Sequence, residues 1–113
     1  MNIGNNYSVV EFVFENGVKC DDYIIAESQP LDNALSKIEE QQRQLKRYYG
    51  CNDGGLVYGE RVCSNAPYLQ GLWYADNYGN VIGVYLKEKT FGISRKVEEM
   101  IETAKKVSIK VCL

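Results

Sequence analysis

Between two runs of β-forming residues, YSVVEFVF and VKCDDYIIA, stands the dipeptide Asn16-Gly17. Both central residues of a type I′ turn need positive φ, which Asn tolerates and Gly adopts freely, so this pair constrains the fold more than any other short stretch. It predicts an antiparallel hairpin, with a first strand from Tyr7 to Phe14 and a return strand from Val18 to Ala26. In the first strand Ser8, Val10, Phe12 and Phe14 alternate with Tyr7, Val9, Glu11 and Val13, a β-rich pattern with one strongly apolar face.

Helical spacing follows. Leu31, Leu35, Ile38, Gln42, Leu45 and Tyr49 make one stripe, with Ser28 placed to cap the start, Pro30 suited to the first turn and Gly50 to the end. The outer face mixes Glu, Gln, Lys and Arg and reads as solvated, with Arg43 and Arg47 as a small positive spot. Residues 50 to 67 read as an irregular loop, interrupted at most by a strand in LVYGERV, where Gly59 breaks the β-formers. A second hairpin is predicted from Leu72–Tyr74 across ADNYGN to Val81–Lys87; Gly71 and Gly83 mark a bulge or a close approach within it. A second helix fits SRKVEEMIETAKK, with Ser94 as N-cap and Val97, Met100, Ile101 and Ala104 inward. VSIKVCL then alternates like a closing strand.

The expected architecture is one α+β domain spanning residues 1–113: a two-layer sandwich, mainly antiparallel, in the order ββα, irregular loop, ββα, β, with both helices packed on one face. A chain of 113 residues can bury roughly 65% of its unfolded surface in a single core. Edge strands in so small a sheet invite pairing, so a homo-oligomer is expected.

The formal charge of −2, from 13 basic and 15 acidic side chains, supplies no broad positive field, which argues against duplex DNA as a partner. No apolar run approaches the ~20 residues that span a bilayer, and the N-terminus lacks the basic and apolar regions of a signal peptide. A membrane role is not expected, and the chain reads as cytoplasmic. In that compartment Cys20, Cys51, Cys63 and Cys112 read as free thiols; a Cys51–Cys63 bond would close a short loop worth about 3 kcal/mol.

Histidine is absent from the chain. That removes the commonest general base, the Cys-His and Ser-His nucleophile systems and most catalytic zinc sites. Carboxylate, lysine or tyrosine chemistry is the route left to an enzyme. Asp21, Asp22 and Asp53 carry no catalytic signature, and adjacent Asp21 and Asp22 on a strand would face opposite ways. The widely spaced cysteines do not form the close pairs of a structural zinc site, and GGLVYGERV lacks the GKS or GKT of a phosphate loop. No catalytic residue, metal or cofactor is expected.

The best ligand cue is KEKTFGISRK, where Thr90, Gly92, Ser94, Arg95 and Lys96 gather at a helix start. Free backbone amides, the positive helix terminus, a hydroxyl and two cations can receive an anion. The plainer alternative is that Ser94 only caps the helix while Arg95 and Lys96 point into water. Nine tyrosines and Trp73 add surfaces suited to interfaces or to stacking on a base. Individually they fit a core edge; together they favour interaction. The resulting expectation is a non-enzymatic protein that senses or sequesters a small anionic, nucleotide-like ligand, with Trp73 and Tyr74 stacking and Arg95, Lys96 and Arg61 holding phosphate. The alternative is a protein-protein interaction or inhibitor module, of the kind phages and mobile elements encode, acting through a tyrosine-rich acidic surface and the long loop.

Overall fold

The computed structural model describes residues 6–49, 53–60 and 67–110. In chain order the elements are β1 (Tyr7–Glu15), β2 (Val18–Lys19), β3 (Tyr23–Gln29), α1 (Leu31–Tyr49), β4 (Asp53–Glu60), β5 (Pro67–Ala75), β6 (Asn80–Glu88) and α2 (Arg95–Lys110). The α+β class is as expected, with six strands in one antiparallel sheet and two helices.

The Asn-Gly turn forms as the sequence predicts, with Asn16 at φ 52° and Gly17 at φ 85°. Phe14 pairs with Lys19 and Glu15 with Val18 across it. The return strand is divided: β2 stops at Lys19, and β3 resumes beside the other half of β1, pairing Glu11 with Tyr23 and Val10 with Ile24 before two register shifts. On its other side β1 pairs along its whole length with β6, from Tyr7 opposite Glu88 to Glu15 opposite Asn80. The sheet then continues through β5 to β4 at the far edge, while β2 and β3 share the near edge.

Three expectations are corrected. The helices lie on opposite faces and make three layers. Ala34, Leu35, Ile38 and Leu45 of α1 pack on Val9, Leu72, Val84 and Leu86. Val97, Met100 and Ala104 of α2 pack on Val10, Phe12, Phe14, Trp73 and Tyr85. The cause is in the central strands, which are apolar at both parities, so each face of the sheet needs a cover. The second correction concerns residues 50–67: β4 occupies Asp53–Glu60 and pairs from Asp53 opposite Ala75 to Glu60 opposite Pro67. Its glycines serve packing there. A side chain at Gly55 would collide with the Trp73 indole.

The third correction is at the C-terminal end, where Val107–Lys110 extend α2 and form no strand. Ser108 falls on the inward side of the helix, fully buried, where its hydroxyl donates to the Lys105 carbonyl at 2.6 Å and accepts from Gly17 N–H at 3.0 Å. That tie between the last helix and the first turn offsets the weak helix propensity of β-branched Val107 and Ile109. Residues 111–113 of the expected strand lie outside the described residues.

The helix starts differ in kind. The Pro30 carbonyl accepts the first α1 hydrogen bond, from Ala34 N–H, so Ser28 is not the cap; it sits in β3 at φ 55°. Ser94 caps α2 as expected, its hydroxyl accepting from Val97 N–H at 3.2 Å.

Candidate functional site

At the start of α2 the side chains and the loop amides that would receive an anion already have partners. Ser94 Oγ, besides capping, donates to Gln70 Oε1 at 3.0 Å. The Glu88 carboxylate accepts from the amides of Thr90 and Phe91, and Gly92, at φ 74°, exchanges backbone hydrogen bonds with Glu88. Arg95 pairs with Glu99 at 3.5 Å in open solvent, and Lys96 Nζ reaches the Tyr58 carbonyl at 3.5 Å. An incoming phosphate would therefore meet Glu88 at one side and Glu98 and Glu99 at the other, on a helix turn whose best donors are spent.

The expected stacking pair is not brought together. Trp73 is buried on the α2 side of the sheet, 5% exposed, whereas Tyr74, its neighbour on the strand, packs against the α1 side. Trp73 and Lys96 do share a shallow depression of about 590 Å³ beside β4, but the indole is covered too far to stack on a ligand. Arg61 lies outside the described residues, as do Cys51, Cys63 and Cys112; Cys20 is a free thiol.

A second concavity has better chemistry. α2 packs on β5, β6, β1 and β4, and the β3 corner of the same sheet face is left as a groove of about 420 Å³. Its floor is β1, with Ser8 and Val10. One wall is β3 and the residue before it, with Asp22, Ile24, Glu27 and Ser28; the other is β6 and the turn after it, with Tyr85, Lys87 and Lys89. Strand pairing lays these in rows: Ile24, Val10 and Tyr85 are aligned across three strands, and Ser8 is opposite Lys87.

The Tyr85 hydroxyl donates to Asp22 Oδ2 at 3.4 Å, and Lys19 Nζ meets the same oxygen at 3.3 Å. Burial, with the Asp22 charge and hydrogen bond behind it, pushes the Tyr85 phenol up to about 12. It stays protonated as a donor throughout the neutral range. Lys87 and Lys89 are exposed and have no ion pair among the described residues. Lys89 is held in place by its own N–H, which donates to the Asn6 carbonyl at 2.8 Å. The groove offers two cations, two carboxylates, a phenol and two hydroxyls, which suits non-covalent binding of a small polar molecule.

In the sequence, Asp22 stands out only as an acid without a signature, and Tyr85 only as one tyrosine of several. The signal that could have found the site is the i, i+2 spacing of Tyr85, Lys87 and Lys89, which puts a phenol and two cations on one side of the chain.

No family model matches the chain, and no curated protein or solved structure matches it. Among the described residues no helix is long and apolar enough to cross a membrane.

Proposed function

We propose that this protein is a non-enzymatic binder of a small anionic, nucleotide-like ligand, which it senses or sequesters in the groove over β3, β1 and β6. The observation that supports the reading is that Lys87 and Lys89 line the groove without an ion pair among the described residues, beside the buried Tyr85 phenol. Two cations without carboxylate partners among the described residues attract a phosphate, and exposed Ile24 is the apolar surface a ring can lie on.

A thermal-shift series with nucleoside mono-, di- and triphosphates and cyclic nucleotides tests it. A ligand at 100 times its Kd adds about 2.7 kcal/mol of stability, and that gain should vanish in the Lys87→Ala/Lys89→Ala variant while Arg95→Ala/Lys96→Ala keeps it. No shift from any member of the series sinks the reading.

One observation favours the interaction-module reading as a second. β4 is paired on one side only among the described residues, and it carries half-exposed Leu56 and Tyr58. An open edge with apolar side chains is a template for an added strand, from a partner protein or from a second copy. Replacing Leu56 by Lys should abolish any complex formed there without disturbing nucleotide binding, as read by size-exclusion chromatography with light scattering.

A further inference from the structure

β4 is paired with β5 along its length, and on its other side it has no strand among the described residues. Two contacts show which of its backbone groups look outward. Gly54 N–H donates to Asp53 Oδ1 at 2.9 Å, and the Tyr58 carbonyl accepts from Lys96 Nζ at 3.5 Å. Neither group is turned to β5, and the two-residue period of a strand adds Leu56, midway between them, to the same outward set. The register shift in this pairing skips Gln70 on β5, so β4 keeps its own alternation. Gly54, Leu56 and Tyr58 are all exposed, and side chains stand in for a neighbouring strand at the two ends of the set.

The edge is complementary to itself. About Leu56 the sequence sets Gly55 against Val57, Gly54 against Tyr58 and Asp53 against Gly59, and in each pair one member has no side chain. An antiparallel strand of the same sequence centred on Leu56 therefore lays every other side chain over a glycine, keeps Asp53 away from a second acid and leaves two leucines face to face. Centring on Gly55 or Val57 instead puts Gly55 opposite itself or opposite Gly59. Leu56 and Tyr58 both stand on the α1 side, since they pair with Leu72 and Leu69 of the α1 core, and they are 45% and 47% exposed. An incoming Tyr58 over Gly54 meets the Tyr74 ring, which borders the space a side chain there would take. Covering both residues carries one apolar layer through the junction.

We propose that β4 pairs with β4 of a second copy of this chain, antiparallel across a two-fold axis at Leu56, so that the two sheets become one. Each Leu56 exchanges both backbone hydrogen bonds with its counterpart, and Gly54 does so with the partner's Tyr58. The proposal rests on the interaction-module reading of this edge and adds to it the occupant and the register. The groove over β3 lies at the opposite edge of the sheet and is left free.

Sedimentation equilibrium of the full chain over a concentration series should give a monomer–dimer equilibrium. Leu56→Lys and Leu56→Glu, each checked by circular dichroism for an unchanged unfolding midpoint, should weaken the dimer at least about tenfold, because the two-fold brings like charges directly opposite. An equimolar mixture of the two should form a dimer at least about tenfold tighter than either variant alone, since residue 56 then faces an opposite charge. A wild type that stays monomeric overturns self-pairing and leaves the edge to a different protein. A wild-type dimer that both charges leave intact is joined elsewhere, and overturns the proposal together with the reading of this edge. Loss of the dimer in each variant with no recovery on mixing overturns the two-fold at Leu56 while the edge stands as the interface.

Discussion

Tyr85 is buried and its hydroxyl ends at Asp22; burial first, and the Asp22 contact second, set an alkaline limit on the fold. The phenol titrates near 10 in an unfolded chain and is pushed up to about 12 here, so the folded state holds the proton more tightly. Its stabilising contribution is complete below pH 10 and is lost as pH rises through about 12. Tyr85→Phe should remove that fall, seen as a flatter plot of urea-unfolding free energy against pH from 9 to 12. Ser108 makes the opposite kind of contribution, independent of pH. Ser108→Ala leaves Gly17 N–H without the hydroxyl that accepts from it and should cost about 1–3 kcal/mol in the same unfolding measurement. The sequence shows that Tyr85 and Lys87 share a side of their strand. It does not show that α2 stops short of β3, and on that the groove depends, because helix placement is decided by side-chain packing over long sequence distances.

At the scale of elements, the turns are what the sequence states most clearly. Asn16-Gly17 closes as a local chemical necessity. The second hairpin turn is held by Asp76, whose carboxylate accepts from the amides of Tyr78 and Asn80 and from the Asn80 side chain. Burial alone would raise its pKa, but these hydrogen bonds outweigh burial and hold it below the ordinary carboxylate value. The turn therefore adds stability above the unfolded pKa of about 3.9, and this is lost as pH falls through the lower folded value. Asp76→Asn should weaken the protein at pH 7 by about 1–2 kcal/mol and shallow its acid unfolding limb, measured by circular dichroism between pH 6 and 2. Two elements differ from the expected form for identifiable reasons. In the last one Val107 and Ile109 alternate like a strand, while the helical stripe of Val97, Met100 and Ala104 continues into Ser108, a polar residue whose buried partner is far away in sequence. In β4 the glycines imitate a loop, but a Cβ at Gly55 would meet the Trp73 indole, one at Gly54 the Tyr74 ring and one at Gly59 the Gln70 side chain.

For the whole molecule the decisive fact is that both faces of one sheet are apolar and each has its own helix. The strand sequences carry this information, since Val9 and Val10, or Leu72 and Trp73, are neighbouring apolar residues that must point opposite ways. Alternation in a single strand gives no count of helices per face, and the two-layer expectation arises from that ambiguity. Ile38→Ala and Met100→Ala, in separate cores, should each cost about 2–5 kcal/mol. Their effects in the double variant should add to within about 0.5 kcal/mol, as read by equilibrium urea denaturation. The arrangement also imposes an order in time. Of the elements described, β1 is made first yet completes its pairing only with β6, and the turn that ends it is bonded to α2. Such remote closures are entropically slow, so until β6 and α2 have been made the nascent chain holds a half-zipped hairpin with bare apolar faces, a natural client for chaperones and a point at which interrupted synthesis leaves an aggregating fragment.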